Sequence, residues 1–197
     1  MRSPYFMLSA PVLALLLVGC QSTKPIAMSV NATPTASGIK NGDMLAPQRA
    51  SGQDIPQLRG QEMVTIRTYE NIKKPDVQFA TLTEIEGVTC EIESDGYKAT
   101  VKTPAEVRVP NYGYASRLIS ARCNAPGYKP GFESVKAYNK TGEQRMNSAS
   151  GGGLAGVVLV AMIHAATDEK KHEFAYPPLK VTMTKPAVAS AKQVARK

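Results

Sequence analysis

The fold is decided by the stretch GVTCEIESDGYKATVKTPAEVRV, residues 87–109. In its first part Val88, Cys90 and Ile92 alternate with polar side chains. This period of two is typical of a strand that buries one face. Ser94-Asp95-Gly96 then favours a tight turn, so the chain is predicted to return as the second strand of a hairpin.

Outside the hairpin, short alternating runs recur with turn residues between them. Thr103-Pro104 ends the returning strand, because proline cannot donate to a strand ladder. Further strands are predicted at Glu62–Tyr69, Glu106–Val109, Arg117–Cys123, Phe132–Tyr138 and Leu179–Met183. Six or seven short strands at this spacing predict a mainly β fold, a small antiparallel β-sandwich over residues 61–184.

Three of these motifs resemble a known module. Gly87-Val88-Thr89-Cys90, then Thr103–Val109, then Cys123 with Gly127-Tyr128, are similar to the PEGA-like domain of bacterial envelope lipoproteins. The resemblance covers roughly Glu86 to Met183. It implies a β-sandwich module and implies no catalytic residue.

The N-terminus has the layout of an export signal. Arg2 supplies a positive charge, and the apolar run Pro11–Val18 follows it. The run is shorter than the roughly 20 residues that a transmembrane helix needs. Residues 1–19 are therefore predicted to be a signal peptide.

The end of that run, Leu17-Val18-Gly19-Cys20, resembles the lipobox of bacterial lipoproteins. The resemblance implies cleavage after Gly19, a diacylglycerol thioether on Cys20 and acylation of the new amino terminus. The alternative is an ordinary secretory signal in which Cys20 falls there by chance. Gln21 and Ser22 follow with no Asp, which by resemblance favours the periplasmic face of the outer membrane if the cell is Gram-negative.

The net charge indicates which molecules the chain could bind, and the cysteine count indicates a disulfide. The formal net charge is +8, and loss of Arg2 with the signal leaves +7. An exported protein rarely meets nucleic acid, so anionic lipid or peptidoglycan is the better-placed partner, although basic charge also simply aids solubility.

With Cys20 lipidated, Cys90 and Cys123 form an even pair in an oxidising compartment. A disulfide between them is predicted to add roughly 3 kcal/mol to the stability of the fold.

Two segments are predicted to stay unfolded. Residues 20–60 are rich in Ser, Thr, Ala, Pro and Gly, which favours a flexible spacer between anchor and domain. Residues 185–197 form a basic tail that ends at Lys197. A terminal Lys after Arg resembles the end of the lipoprotein that is covalently joined to peptidoglycan.

A glycine-rich apolar segment occupies residues 151–166 and admits three interpretations. It could form a short helix packed on the β-domain, a contact with a partner protein or a second copy, or a membrane insertion, since Gly152 and Gly156 make a GxxxG pair. Glycine is costly in an unpacked helix, which favours the packed helix. The candidate partner contacts are Gly152, Leu154, Gly156 and Val158.

Residues suited to catalysis are few. His164 lies in the apolar segment and is interpreted as partly buried, and His172 lies among charged residues and is interpreted as solvated. A zinc site using these histidines with the cysteines is the alternative to a disulfide, but no ligand spacing supports it. We therefore expect no enzyme, metal or cofactor. The function expected is a structural or protein-interaction role, with peptidoglycan anchoring through the basic tail as the alternative.

Overall fold

Two β-sheets packed face to face form most of the computed structural model, which describes residues 23–73, 78–149 and 167–186. Sheet A contains β1 (Met28–Asn31), β3 (Gln61–Ile72), β4 (Thr81–Ile85), β7 (Ala105–Pro110) and β12 (Leu179–Met183). Sheet B contains β2 (Thr33–Pro34), β5 (Thr89–Ser94), β6 (Tyr97–Lys102), β8 (Ile119–Asn124) and β9 (Gly131–Val135). The other described elements are α1 (Ala46–Ala50), β10 (Tyr138–Asn139), α2 (Lys140–Ala149), β11 (Phe174–Ala175) and the 3-10 turns Gly113–Ala115 and Glu169–Lys171.

The predicted mainly β class is confirmed. Sheet A runs in the order β1-β7-β3-β12, with β4 paired to the C-terminal part of β3, and sheet B runs β2-β6-β5-β8-β9. Most neighbours are antiparallel, as predicted. The difference lies in sheet A, where β1 pairs with β7 and β12 pairs with β3 in parallel. Hairpin signals in a sequence do not report such pairings, because parallel strands are joined by long connections.

The core lies between the two sheets and follows the alternation seen in the sequence. Sheet A contributes Val64, Ile66, Val107, Val109, Leu179, Val181 and Met183 to it, and sheet B contributes Cys90, Ile92, Tyr97, Val101, Ile119 and Cys123. Each of the larger aliphatic side chains stabilises the fold by about 1.5–3 kcal/mol on burial. This apolar layer fixes which side chains of each strand face outward.

Residues 23–60 differ from the flexible spacer that their composition predicted. Met28–Asn31 pairs with β7, Thr33–Pro34 pairs with β6, and Leu45 and Ile55 are buried together. Met28, Val30, Ala32, Ile39 and Met44 pack on the core between the two sheets. The spacer prediction is therefore wrong for residues 23–60, and residues 20–22 lie outside the described ranges.

One open edge of the sandwich is closed by β9 and β12. The Lys129 N–H donates to the Thr184 carbonyl at 2.8 Å, which joins the turn before β9 to the end of β12. Gly131 then packs against β12 so closely that a Cβ there would lie 2.8 Å from the Met183 sulfur and 2.9 Å from the Thr182 carbonyl oxygen. Only a residue without a side chain fits between the strands.

Gly131→Ala is expected to lower the free energy of unfolding by about 1–3 kcal/mol, because the added methyl group would overlap the Thr182 backbone, which is held in β12. Urea denaturation at neutral pH measures this change in stability. Ser134→Ala, at an exposed position of the same strand, is the control and should leave stability within about 0.5 kcal/mol. Equal stability of the two variants would contradict the close packing of β9 on β12.

Candidate functional site

Most of the residues singled out by sequence lie outside the described ranges. These are Gly19 and Cys20, the partner-contact candidates Gly152, Leu154, Gly156 and Val158, together with His164 and Lys197. The structure does describe the chain from Thr23 onward, close to Cys20, and the residues on either side of the apolar segment 151–166. The candidate site therefore comprises the residues that attach the N-terminal region to the domain and the residues on either side of the apolar segment.

The N-terminal strap, residues Thr23–Ala27, lies on the outer face of sheet A. The Lys24 N–H donates to a Glu84 carboxylate oxygen at 3.2 Å, and the Arg67 guanidinium donates to the Lys24 carbonyl at 2.9 Å. At its C-terminal end the strap is held by the Ala27 N–H, which donates to the Pro104 carbonyl at 2.9 Å. The first described residues are thus bonded to the domain through their main chain.

Arg67 and Glu84 form an ion pair beneath the strap. Their side chains are only 13% and 10% exposed, although both lie on the outward face of the sheet. Charges held away from water interact more strongly than exposed ones. The Lys24 ammonium adds an exposed pair with Glu86 at 2.8 Å, and the hydrogen bond to Glu86 raises the pKa of Lys24.

A second attachment lies in the chain that follows β2. The buried Tyr112 hydroxyl accepts from the Leu45 N–H at 3.0 Å and donates to the Asp43 carboxylate at 2.9 Å. Arg49 pairs with the same carboxylate. Burial of the phenol raises the pKa of Tyr112 to about 12. One tyrosine therefore fixes the position of this N-terminal loop.

Asp54 and Arg59 connect the N-terminal region to the far end of the chain. Asp54 accepts from Tyr114 at 2.8 Å and pairs with Lys170 at 2.7 Å. The hydrogen bonds from Lys170 and Tyr114 lower the pKa of Asp54. Arg59 donates to the His172 carbonyl at 3.0 Å. The residues that follow the apolar segment are in this way bound to the chain that precedes β3.

His172 is the centre of a buried polar cluster. It is only 4% exposed, so the interpretation of it as solvated is wrong. Its Nδ1 lies 2.8 Å from the Asn139 amide nitrogen, and its Nε2 lies 3.5 Å from the Arg145 guanidinium. The charged neighbours of His172 in the sequence gave no sign of this burial, because the contacts to its ring come from β10 and α2, about thirty residues earlier in the chain.

The same cluster brings together the two flanks of the apolar segment. Arg145, near the end of α2, donates to the Thr167 hydroxyl at 3.1 Å. The described residues that flank the apolar segment on its two sides therefore contact each other. Residues 151–166 themselves lie outside the described ranges.

The described histidine and cysteines are held by contacts within the domain. Within the described ranges no three His, Cys, Asp or Glu residues are grouped to hold a metal ion. The Arg145 cation beside His172 would also repel one. Cys90 and Cys123 lie directly opposite each other in β5 and β8, fully buried, with their sulfur atoms 1.96 Å apart, which is bonding distance.

The chain has no significant match among family models, curated proteins or solved structures. None of the helices in the described part of the chain is long and apolar enough to cross a membrane. Fold and site are therefore interpreted from this chain alone.

Arg67→Met is expected to lower the free energy of unfolding by about 2–3 kcal/mol, since it leaves the Glu84 carboxylate shielded from water without its cation. Lys24→Met removes only the exposed pair and is the matched control, with little expected change. Chemical denaturation of both variants measures the difference. The strap geometry is contradicted if Arg67→Met is no more destabilising than Lys24→Met.

Tyr112→Phe removes the acceptor of the buried Leu45 N–H and is expected to cost about 1–3 kcal/mol at neutral pH. The pKa of Tyr112 is about 12 in the folded protein, against an ordinary value of 10.0. The stability that its protonated hydroxyl contributes is therefore complete below pH 10 and is lost as the pH rises toward 12. The variant should consequently lose stability less steeply than the wild type over that window. Tyr138→Phe, at an exposed position, is the control, and identical pH profiles for wild type and Tyr112→Phe would refute the role of the phenol.

Proposed function

We propose that the chain is an envelope lipoprotein, tethered to a bilayer by lipid on Cys20. The observation that carries the proposal is the apolar run that ends in Leu17-Val18-Gly19-Cys20. Acyl chains on that cysteine would give stable anchoring, since each buried CH₂ adds about 0.8 kcal/mol and two or more chains act together.

The proposed role of the folded part is structural or protein-binding, without catalysis. Two observations support it. The described cysteines are both placed for a disulfide, and His172 is buried beside Asn139 and Arg145. The resemblance to PEGA-like modules points the same way, because it brings no catalytic residue.

The proposed location is the periplasmic face of the outer membrane, by resemblance in the residues after Cys20. An oxidising compartment agrees with Cys90 and Cys123 at bonding distance. Attachment to peptidoglycan through Lys197 stays a prediction. The proposed partners are membrane lipid and an envelope protein that meets the apolar segment 151–166.

Cys20→Ser is expected to move the protein from the membrane fraction to the soluble fraction, because the hydroxyl cannot form the thioether. Membranes are isolated from cells that export the full chain, and the N-terminal peptide is analysed by mass spectrometry. Ser22→Ala, two residues away, is the control and should remain membrane-bound with a diacylglycerol mass on Cys20. Carbonate-resistant membrane association of Cys20→Ser would overturn the lipid anchor.

A further inference from the structure

The direction of the N-terminal strap follows from the pairing of three strands. β1 runs parallel to β7, and β7 runs antiparallel to β3. Followed backwards from Met28, the chain therefore runs toward the C-terminal end of β3. The contact of Lys24 with Glu84 confirms this direction, because Glu84 lies opposite Tyr69 near that end.

At that end β3 and β4 continue past the sandwich as a projecting hairpin. The last pairing of β12 with β3 is at Glu70, whereas β3 and β4 remain paired through Asn71–Leu82 and Ile72–Thr81. The described residues beyond Glu70, on both strands, are exposed until Thr83. Among the described residues, no further strand pairs with this end on either side.

The projecting hairpin carries apolar side chains where solvent would favour polar ones. Ile72 is 37% exposed, Leu82 is 46% exposed and Phe79 is 75% exposed. Lys73 follows Ile72 and forms no ion pair with another described residue. Aromatic and aliphatic groups next to a lysine are typical of segments that enter the headgroup region of an anionic membrane. We refer to Ile72, Lys73, Phe79 and Leu82 as the hairpin end.

Chain length places the lipidated cysteine close to the hairpin end. Lys24 lies four positions after Cys20, and that length of chain spans at most about 14 Å when fully extended. The Lys24 N–H is bonded to the Glu84 side chain, and Leu82 lies two residues further along the same outward face of β4, about 7 Å away. With roughly 8 Å for the Glu84 side chain and its hydrogen bond, a bilayer that holds the acyl chains of Cys20 must lie within about 30 Å of Leu82.

We propose that the hairpin end docks on the bilayer to which Cys20 is tethered, and this rests on the proposed acylation. Phe79 and Leu82 enter the headgroup region, and Lys73 contacts anionic headgroups. The domain then stands on the membrane in a fixed orientation, with the other end of β3 directed away from the lipid.

A single tryptophan can test this, because the chain contains none. The full acylated chain with Phe79→Trp is reconstituted into phosphatidylglycerol and phosphatidylethanolamine vesicles, with and without lipids brominated high on the acyl chain. About twofold quenching by the brominated lipid is expected, since interfacial side chains reach about 5–10 Å into that region. Met63→Trp is the matched control: Met63 is also exposed on β3 but lies nine residues before Ile72, about 30 Å away, and no quenching is expected.

Flotation of the vesicles separates the outcomes. If the protein floats and the tryptophan at position 79 is quenched no more than that at position 63, the docking proposal is overturned while the lipid anchor stands. If the protein does not float, the anchor fails and the docking proposal fails with it. Leu82→Trp is a second reporter, expected to follow Phe79→Trp, and its quenching at the level of Met63→Trp would also count against docking.

Discussion

The parallel pairing of β1 with β7 is the constraint on which the rest of the structure depends. Met28–Asn31 aligns with Ala105–Arg108, and the Ala27 and Ala32 N–H groups extend the ladder to Pro104 and Arg108. Because this pairing begins only eight residues after Cys20, it fixes where the chain enters the domain and in which direction. The position of Lys24 over Arg67 and Glu84 follows from it, and so does the upper limit on the distance from Cys20, the proposed anchor, to the β3–β4 hairpin.

The sequence predicted the central strands well, for a physical reason. β3, β5, β6, β7, β8 and β12 each bury one face, so apolar residues recur at every second position and reveal the strand. The even pair of cysteines pointed to the disulfide, and β5 and β8 bring Cys90 and Cys123 opposite each other. Turn signals such as Ser94-Asp95-Gly96 fixed the register of the hairpin that joins β5 and β6.

The predictions from sequence were wrong where the burial of a residue depends on a partner far away in the chain. Leu45 and Ile55 stand among polar residues and resemble parts of a linker, yet they pack on Tyr112, which lies 67 residues after Leu45. His172 stands among charges and is buried by Asn139 and Arg145. The composition of a segment gives only its average polarity and does not show contacts with distant residues. It therefore predicted a flexible spacer at residues 20–60, where the described part of the chain is paired with the sheets. The lipid anchor itself is a resemblance between short motifs, and it stays a proposal.

Hydrogen–deuterium exchange of the protein at neutral pH tests the docking of the N-terminal residues most directly. Peptides that cover residues 27–34 should exchange about a thousandfold more slowly than an unfolded chain, which corresponds to about 4 kcal/mol of opening free energy. Their protection should approach that of peptides from β7, to which β1 is bonded. Exchange of residues 27–34 at the rate of an unfolded chain, with β7 still protected, would show a free spacer and contradict the pairing of β1 with β7.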